Sequence, residues 1–567
     1  MTDRAATAPV SWLSMIIVML AQILMGFNVN ALVISMGAIV DDLGVSATSI
    51  GTALVVYSLA VAGLVMLGAK ICALIGARLA FQIGVAGVGA AMAVMALSAN
   101  AAMMNVAQLI AGIAAAVVVP ALVVLIAANY HGKQQEQALG LLGAAQAGSS
   151  ALAFLVVGFL SYFVSWRWSF AMLVVLALLI VVLSFRLTPV TPQPGTKIDW
   201  VGAGLAAGAV SLISLGFNNV NAWGLLVADE NAPFHLLGVS PALILVILGI
   251  LLGQAFFVWL RKRQQEQRSQ ILSLEVLDTG AERAATFALL VIAALGPAVN
   301  FLLPLYIQIV QGRSALQTAV AIVPYAVAIL LGTILVVRLF DRVTPRQIGR
   351  FGFIAVAVGL FMLSIVIQND WGTPLVIVSL IIIGLGEGAL LTLMFNVLVS
   401  ASPKELAGQV GALRGTVNNL ATGLGTALAS VLAVATLAAL VATSIDESPA
   451  LPPDLIDEIV DELELDDPDF IPDDQLEDAL DETTATPDQA DEVVRINAEA
   501  RLEALKICFQ VLAGLALLGI LPAGGLPAYR PGEVPPVLEP SPVERLRQAP
   551  ARAAARVQAR GSRGRRR

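Results

Sequence analysis

The sequence has few charged residues and almost no cysteine. Charged residues make up 13% of its 567 residues, well below the roughly 25% that is typical of a soluble domain. The two cysteines, Cys72 and Cys508, lie in apolar blocks and form no metal-binding or redox spacing. We also find no nucleophile–base pair, metal-ligand spacing or phosphate-binding loop. These absences argue against a soluble protein, a metal centre and an enzyme, and they predict no cofactor.

Long hydrophobic blocks dominate the chain instead. Hydrophobic residues make up 58% of it, and the mean hydropathy is +0.86. The blocks have the length that carries a helix across the hydrocarbon core, about twenty residues, and in lipid a helix pairs its own backbone polar groups. We predict an all-α integral membrane protein with fourteen transmembrane helices. The spans are placed at residues 12–39, 50–71, 79–98, 103–128, 137–163, 168–187, 200–217, 241–260, 285–310, 318–339, 348–367, 374–399, 410–441 and 505–521.

The charges of the connecting loops predict the orientation. Loops after the even-numbered spans are basic, whereas the opposite loops carry Asp42 and Asp370. The positive-inside rule places the basic loops in the cytoplasm, and an even number of spans then places both termini there as well. We expect a multi-pass protein of a bacterial plasma (inner) membrane. The first block is too long for a cleaved signal peptide and is predicted as a span.

One acidic segment, residues 444–503, separates the last two spans. Of the 40 acidic residues in the chain, 22 lie between Asp446 and Glu503, beside only two arginines. The remaining 18 acidic and 30 basic residues give the rest of the chain a basic surplus. The segment is either a solvated, partly disordered loop or a cation-attracting vestibule over the outer mouth.

The C-terminal tail, residues 522–567, is basic and ends in three consecutive arginines. We expect it to lie against anionic lipid headgroups. A basic run also suits nucleic acid, but behind a last span it more often fixes topology, so no nucleic-acid partner is predicted.

Several motifs open or follow the apolar blocks. They are Trp166-Arg167-Trp168-Ser169-Phe170, Asp199-Trp200-Val201-Gly202, Trp223-Gly224 and Leu303-Pro304-Leu305-Tyr306-Ile307-Gln308, followed by Gly312, Ser314, Ala315, Leu316, Gln317 and Pro324. Together they resemble the fourteen-span drug:proton antiporter (multidrug efflux) family of the major facilitator superfamily. The resemblance runs from about residue 12 to 441 and resumes in the last span.

This resemblance implies two six-helix bundles, formed by spans 1–6 and 9–14, with two inserted central helices. The cytoplasmic N-terminus is residues 1–11, the first bundle 12–187, the linker with the inserted spans 188–283, and the second bundle 284–521. It also implies a monomer that moves a small-molecule substrate between the bundles by alternating access, with protons as the coupling ion.

The family's charged positions are neutral in the first bundle. Asn28 stands where the family has an aspartate in span one, and Gln108 stands where it has an arginine in span four. The Asp-Arg pair of the loop after span two is replaced by Ala73-Leu74. Because neither Asn nor Gln titrates, the family's proton relay is absent here.

Two groups of residues are candidates for a cytoplasmic gate. Lys70 lies at the end of span two, and Gly76 and Arg78 follow it; a second copy of the loop motif after span ten keeps its Asp-Arg pair as Asp341-Arg342, next to Arg338. Each group either closes the cytoplasmic mouth or simply marks the membrane surface.

Glu387 is the main candidate for coupling. It lies in the middle of span twelve, within Gly384-Leu385-Gly386-Glu387-Gly388, where a charge costs about 2.5–3.5 kcal/mol on insertion scales. It either exchanges a proton or pairs with a cationic substrate, or it stays protonated and bonds a neighbouring helix. The flanking glycines permit close approach of a backbone or a ligand.

Other polar residues are candidates for coupling or for substrate contact. Arg414, near the start of span thirteen, is either a cavity cation or an interfacial residue that reaches the headgroups. The remaining candidates either line the cavity or bond between helices: Asn28, Gln108, Tyr306 and Gln308.

Three functions remain open from the sequence. The first is an exporter of drug-like or amphipathic molecules that is coupled to protons through Glu387. The second, favoured by the neutral Asn28 and Gln108, is transport of a specific lipid or metabolite without standard proton antiport. The third is a membrane sensor or scaffold. Neutralising Glu387 separates the third from the others, because a scaffold should not respond to it.

Overall fold

The protein is helical throughout most of its computed structural model. The structure describes residues 12–43, 47–130, 133–192, 197–228, 232–311, 313, 315–340, 342–369, 374–401, 406–447, 476, 480 and 486–529. The N-terminus, most of the acidic segment, Asp341 and the tail from residue 530 lie outside the described residues.

Seventeen α-helices are described. In chain order they are α1 (Leu13–Ile34), α2 (Met36–Leu43), α3 (Ala47–Ile75), α4 (Ala77–Ala96), α5 (Ala101–Asn129), α6 (Lys133–Phe163), α7 (Trp166–Ser184), α8 (Trp200–Asn218), α9 (Val220–Trp223), α10 (Pro241–Gln265), α11 (Gly280–Leu305), α12 (Ala315–Leu339), α13 (Pro345–Val366), α14 (Pro374–Ala401), α15 (Ala407–Glu447), α16 (Pro487–Leu518) and α17 (Ile520–Ala523). A 3-10 helix, Leu274–Leu277, precedes α11, and a π-helix, Tyr306–Val310, follows it.

Fourteen of these helices are long enough to cross a bilayer. Within the described residues, thirteen are also strongly apolar. The fourteenth, α6, has 31 residues, which at the α-helical rise is about 46 Å, and glutamines in its first half lower its hydropathy. It packs against α1, α12 and α14. The predicted all-α membrane fold with fourteen helices is confirmed.

The helices form two six-membered bundles and one inserted pair. The first bundle contains α1 and α3 to α7, and the second contains α11 to α16. The inserted pair, α8 and α10, packs together, and α8 contacts both α3 of the first bundle and α15 of the second. The bundles contact each other through α6 with α12 and α14, and through α15 with α3 and α5.

Contacts between helix ends define two faces of the molecule. At one face, which we call the basic face, Arg78 at the start of α4 donates to the backbone oxygen of Phe185 after α7, at 2.8 Å. The same face carries Arg346, whose Nε donates to the Leu526 carbonyl oxygen at 3.0 Å. At the other end, the opposite face, Trp166 at the start of α7 donates its indole N–H to Asp42 in the last turn of α2.

The last long helix begins earlier than the sequence predicted. The prediction placed span fourteen at 505–521, but α16 begins at Pro487, after a capping box between Thr486 and Gln489. Buried Val493, Ile496 and Ala500 follow helical spacing, whereas the charged residues between them kept the stretch out of a hydropathy window. Residues 487–503 are therefore helix rather than loop.

Both α15 and α16 are longer than a bilayer requires. They contain 41 and 32 residues, or about 60 and 48 Å of helix, against a hydrocarbon core of about 30 Å. They pack against each other. This pair therefore continues past the core at the opposite face.

The first predicted span is also divided in the structure. The sequence placed it at 12–39, but α1 ends at Ile34 and α2 begins at Met36. Ser35, with φ −83° and ψ 4°, interrupts the helix for one residue. The apolar pattern runs through this interruption, so composition does not reveal it.

Candidate functional site

Glu387 lies near the middle of α14, where three helices meet. Its side chain is buried, with 7% of it exposed. Tyr325 of α12, also buried, donates its hydroxyl hydrogen to Glu387 Oε2. Oε1 faces Gly296 of α11, where an added methyl group would overlap with it. The carboxyl group is thus enclosed by α11, α12 and α14.

Glycines bring the neighbouring backbones close to Glu387. A methyl group on Gly384 would approach the Tyr325 carbonyl oxygen to 2.6 Å, and one on Gly388 would overlap with the Ile329 carbonyl oxygen. On the other side of α14, a methyl group on Gly386 would meet Val356 of α13 at 2.7 Å. The sequence suggested that these glycines permit close approach, and the structure places α12 and α13 in that space.

Within the described part of the chain, no cationic side chain is paired with Glu387. Among the described residues, the ion pairs that form do not include Glu387. The Tyr325 hydroxyl is the hydrogen-bond donor that the structure gives its carboxyl group. A carboxylate in apolar surroundings with one neutral donor is poorly stabilised, so the site suits a proton or a cationic ligand.

Arg414 forms a contact between the two bundles. It is partly buried on α15, and its Nη2 donates to Oε1 of Gln146 on α6, at 2.8 Å. The guanidinium carbon lies 4.3 Å from the ring centroid of Phe395 on α14, a cation–π geometry. Its partner is an amide, so Arg414 keeps its full charge between the bundles.

Asn28 and Gln108 bond to each other in the core of the first bundle. Asn28 Nδ2 donates to Gln108 Oε1 at 3.0 Å, and Gln108 Nε2 donates to Asn28 Oδ1 at 3.1 Å. Each side chain is 1% exposed. The two residues that replace the family's aspartate and arginine thus form a closed, neutral amide pair between α1 and α5.

This amide pair makes a double-mutant prediction. We expect Asn28→Leu or Gln108→Met alone to lower the free energy of unfolding by about 1–3 kcal/mol, because each leaves a buried amide without its partner. The free energy of unfolding of the double variant should fall by less than the sum of the decreases in the two single variants, because no buried amide is then left without a partner. Thermal unfolding of the four proteins at one scan rate measures this, and additive losses would contradict the pairing.

Of the two candidates after α11, Tyr306 and Gln308, the structure describes the side chain of Tyr306. Tyr306 is fully buried, and its hydroxyl donates to the Gln368 carbonyl oxygen at 2.6 Å and accepts from Gln311 Nε2 at 2.9 Å. It joins the end of α11 to the end of α13, so the structure gives it a structural contact rather than a cavity position. The side chain of Gln308 lies outside the described residues.

The first group of gate candidates joins helices at the basic face. Gly76 has φ +88°, a left-handed conformation that favours glycine, and a methyl group there would approach the Val190 carbonyl oxygen to 2.8 Å. Arg78 bonds the end of α7, as described above. Both residues therefore fix the turn from α3 to α4 within the first bundle.

Lys70 belongs to a cluster around Asp199. This buried aspartate caps α8 by accepting from the Gly202 backbone N–H at 3.0 Å. It also accepts from the Trp259 indole at 3.1 Å and pairs with Arg263 of α10 at 3.3 Å. Lys70 of α3 interacts electrostatically with the same carboxylate. The Asp-Trp motif at the start of span seven thus joins the inserted pair to the first bundle.

The second group of gate candidates is exposed. Arg338 at the end of α12 and Arg342 after it both have exposed side chains. Asp341, which would pair with them, lies outside the described residues. Their placement at the basic face fits either the predicted gate or the membrane surface.

The Trp-Arg-Trp motif holds the opposite face together. Trp166 donates its indole N–H to Asp42 Oδ2 at 3.0 Å, and Arg167 both pairs with Asp42 and donates to the Ser98 carbonyl oxygen at 3.1 Å. The hydrogen bond from Arg167 and, to a smaller extent, the one from Trp166 lower the pKa of the Asp42 carboxyl group. The motif therefore ties α7 to the last turn of α2 and to the residues just after α4.

Tyr325 was not among the residues predicted for the site. Its neighbour Pro324 belongs to a motif, whereas the tyrosine itself lies in an apolar span. A hydroxyl in the middle of a span needs a partner, and this was the available signal. The partner, Glu387, lies 62 positions away in the chain, so only the packing of α12 on α14 reveals it.

The chain is similar in sequence to known membrane transporters. A sequence profile of the Major Facilitator Superfamily matches residues 18–426. The puromycin resistance protein pur8 of Streptomyces alboniger is 27% identical over 423 residues, covering 72% of this chain and 79% of that protein. The multidrug efflux pump LfrA of Mycolicibacterium smegmatis is 24% identical over 420 residues, covering 74% of this chain and 80% of that protein.

A solved structure shares the fold. The crystal structure of the human organic anion transporter MFSD10 superposes with a TM-score of 0.55, covering 90% of this chain and 99% of that chain. The two sequences are 13% identical, so this likeness bears on the fold alone.

Proposed function

The chain belongs to the major facilitator superfamily, and we propose that it exports drug-like or amphipathic small molecules in exchange for protons carried by Glu387. The buried Glu387–Tyr325 pair, to which no described residue adds a cation, is the observation that carries the coupling part of this proposal. The names of the relatives, which refer to antibiotic resistance and multidrug efflux, support the substrate class.

Alternating access fits the contacts between the bundles. In the half nearest the basic face, glycines of α6 and α15 lie against the other bundle. A methyl group on Gly143 would meet Thr392 of α14 at 3.1 Å, and one on Gly411 would meet Val123 of α5 at 2.8 Å. Farther along α6, a methyl group on Gly148 or Gly158 would meet no atom within 4 Å. Rocking of one bundle against the other would exchange these two arrangements.

The proposed exchange occurs at the carboxyl group of Glu387. When the carboxyl is protonated, the site is neutral and its Tyr325 contact persists with either group as the donor. When the proton leaves, the carboxylate accepts from Tyr325 and attracts a cationic substrate, because no protein cation competes for it among the described residues. Proton and substrate would therefore occupy the site alternately.

The location and orientation follow from the loop charges. We propose that the protein is a monomeric antiporter of the bacterial plasma membrane, with the basic face and both termini in the cytoplasm. Arg78, Arg346 and Arg350 lie on that face, where anionic headgroups would attract them.

A second candidate function is transport without a proton gradient. The Asn28–Gln108 amide pair favours it, because it puts a group that does not titrate where the family has charged residues. In that case the substrate would be a specific lipid or metabolite and would move down its own gradient.

Transport assays in liposomes separate the two candidates. The purified full chain is reconstituted, a lipophilic cation such as tetraphenylphosphonium is loaded, and a pH gradient is imposed across the membrane. Proton exchange predicts efflux that accelerates with the gradient and returns to the basal rate when a protonophore is added. Efflux of the same rate with and without the gradient would reject proton coupling and favour the second candidate.

A further inference from the structure

A small hairpin connects the inserted helices α8 and α10 at the opposite face. Its first arm follows α9, and its second arm precedes α10. The Ala228 N–H donates to the Gly238 carbonyl oxygen at 3.0 Å, and the Ser240 N–H donates to the Leu226 carbonyl oxygen at 3.0 Å. Isolated β-bridges join Val239 to Val227 and to Leu236. Residues 229–231, between the arms, lie outside the described residues.

The base of this hairpin is fixed to the helices. Ser240 is fully buried, and its hydroxyl lies 2.9 Å from the Trp223 carbonyl oxygen and 2.6 Å from that of Gly224. The same oxygen accepts the Ala242 N–H of α10 at 3.1 Å. The hairpin therefore keeps a set position relative to the ends of α9 and α10.

Large apolar side chains cover the hairpin and are left exposed by the rest of the protein. Leu237 is 97% exposed. The others are between half and three quarters exposed: Leu225, Leu226, Val227, Phe234 and Leu236. A contiguous exposed apolar patch of this kind marks an interaction surface.

The turn at Leu237 is conformationally unfavourable. Leu237 has φ 56° and Gly238 has φ 78°, the pattern of a two-residue type I′ turn, which normally carries Asn-Gly or Asp-Gly. A leucine with positive φ is an outlier that persists where the side chain has a use. Here that side chain points away from every described part of the protein, as its exposure shows.

We propose that the hairpin of residues 224–240 inserts its apolar side chains into the acyl layer of the leaflet at the opposite face. The lipid-facing surface of the inserted pair continues into it: Ile247, Leu248 and Leu251, in the half of α10 next to the hairpin, are each about half-exposed. The occupant of that surface is lipid, because these helices are transmembrane spans. A hairpin fixed to their ends extends the same surface to the interface.

Insertion would anchor the inserted pair while the bundles move. The helix α8 contacts both α3 of the first bundle and α15 of the second. If the pair keeps its position in the bilayer, both bundles move against the same fixed helix. This inference does not depend on proton coupling or on the substrate.

Spin-label accessibility tests the depth of Leu237. Nitroxide is attached to Leu237→Cys in a background with Cys72→Ala and Cys508→Ala, in lipid nanodiscs. Leu251→Cys, lipid-facing in α10, and Asp491→Cys, exposed at the start of α16, are the matched controls. Leu237 is exposed, so its replacement should not affect folding. Collisions with oxygen and with a water-soluble nickel chelate are measured for all three.

The proposal predicts that the Leu237 label behaves like the Leu251 label. Its oxygen-to-nickel collision ratio should exceed that of the Asp491 label several-fold. A ratio equal to that of Asp491 would place the hairpin in water and overturn the proposal. Protection from both reagents would show that protein covers the hairpin, either a second copy or another segment of this chain, and would overturn it as well.

Discussion

Replacing Glu387 with glutamine should reduce gradient-driven efflux to the rate measured with substrate-loaded liposomes that contain no protein. The substitution keeps the size of the side chain and a hydrogen-bond acceptor for Tyr325, but it removes the group that exchanges a proton. Folding should be retained, because a neutral amide costs less in apolar surroundings than a carboxylate. The expected loss therefore concerns both proton exchange and attraction of the cationic substrate, so exchange of a lipophilic cation between equal concentrations should fall as well.

Two variants control for this result. Glu499→Gln removes a carboxyl of α16 that is 66% exposed and pairs with Arg495; surface pairs contribute little, so efflux should be unchanged. Tyr325→Phe removes only the hydroxyl and should slow efflux less than Glu387→Gln does. Equal gradient-driven efflux by wild type and Glu387→Gln would reject a role for this carboxyl in coupling.

Gly388→Ala should be the most destabilising of the small substitutions near the site. The new methyl group would overlap with the Ile329 carbonyl oxygen of α12, and a backbone atom cannot turn away as a side chain can. The helices α12 and α14 must then separate, and overpacking of this kind costs about 1–3 kcal/mol or more. We expect a clear drop in the apparent Tm together with loss of transport.

Gly514→Ala is the matched control for helix propensity. Gly514 lies in α16, and an added methyl group there would meet no atom within 4 Å. Because alanine favours helix over glycine by up to about 1 kcal/mol, this variant should be as stable as wild type or more so. Apparent Tm values are compared at one scan rate. Equal effects of the two substitutions would contradict the close packing of α12 and α14.

The fold could be predicted from the sequence because the length of each apolar block depends only on neighbouring residues. Apolar blocks of bilayer length predict helices one at a time, and the motifs predicted two bundles with an inserted pair. Membership of the major facilitator superfamily and the role of a transporter rather than an enzyme are confirmed. The error at α16 arose because Asp491, Glu492 and Arg495 lie on its exposed side and mask the apolar spacing of the other side.

The contacts of the candidate site were less accessible. Asn28 and Gln108 were each singled out as neutral replacements, but their mutual hydrogen bonds join α1 to α5 across 80 positions. Such pairing depends on how each helix is rotated about its axis, which an almost uniformly apolar helix does not encode in its pattern. The same reason explains the partners of Arg414 and Glu387. For Tyr306, the sequence left a cavity position and a bond between helices open, and its hydroxyl bonds the end of α13.

The distribution of charge between the bundles has a functional consequence. The first bundle carries an amide pair that does not titrate, and the second carries a carboxyl enclosed by α11, α12 and α14. If a proton drives transport, the second bundle therefore holds the coupling group. Arg414, which reaches from that bundle to Gln146 of the first, keeps its charge throughout and suits the role of a contact broken when the bundles separate.

Proton release on substrate binding tests the central claim most directly. A lipophilic cation is added to purified protein in weakly buffered detergent solution, and the pH change is recorded against the amount of cation bound. The account predicts that wild type releases protons in proportion to bound cation, whereas Glu387→Gln releases none. Binding to wild type without proton release, or equal release by Glu387→Gln, would show that Glu387 is not where proton and substrate exchange.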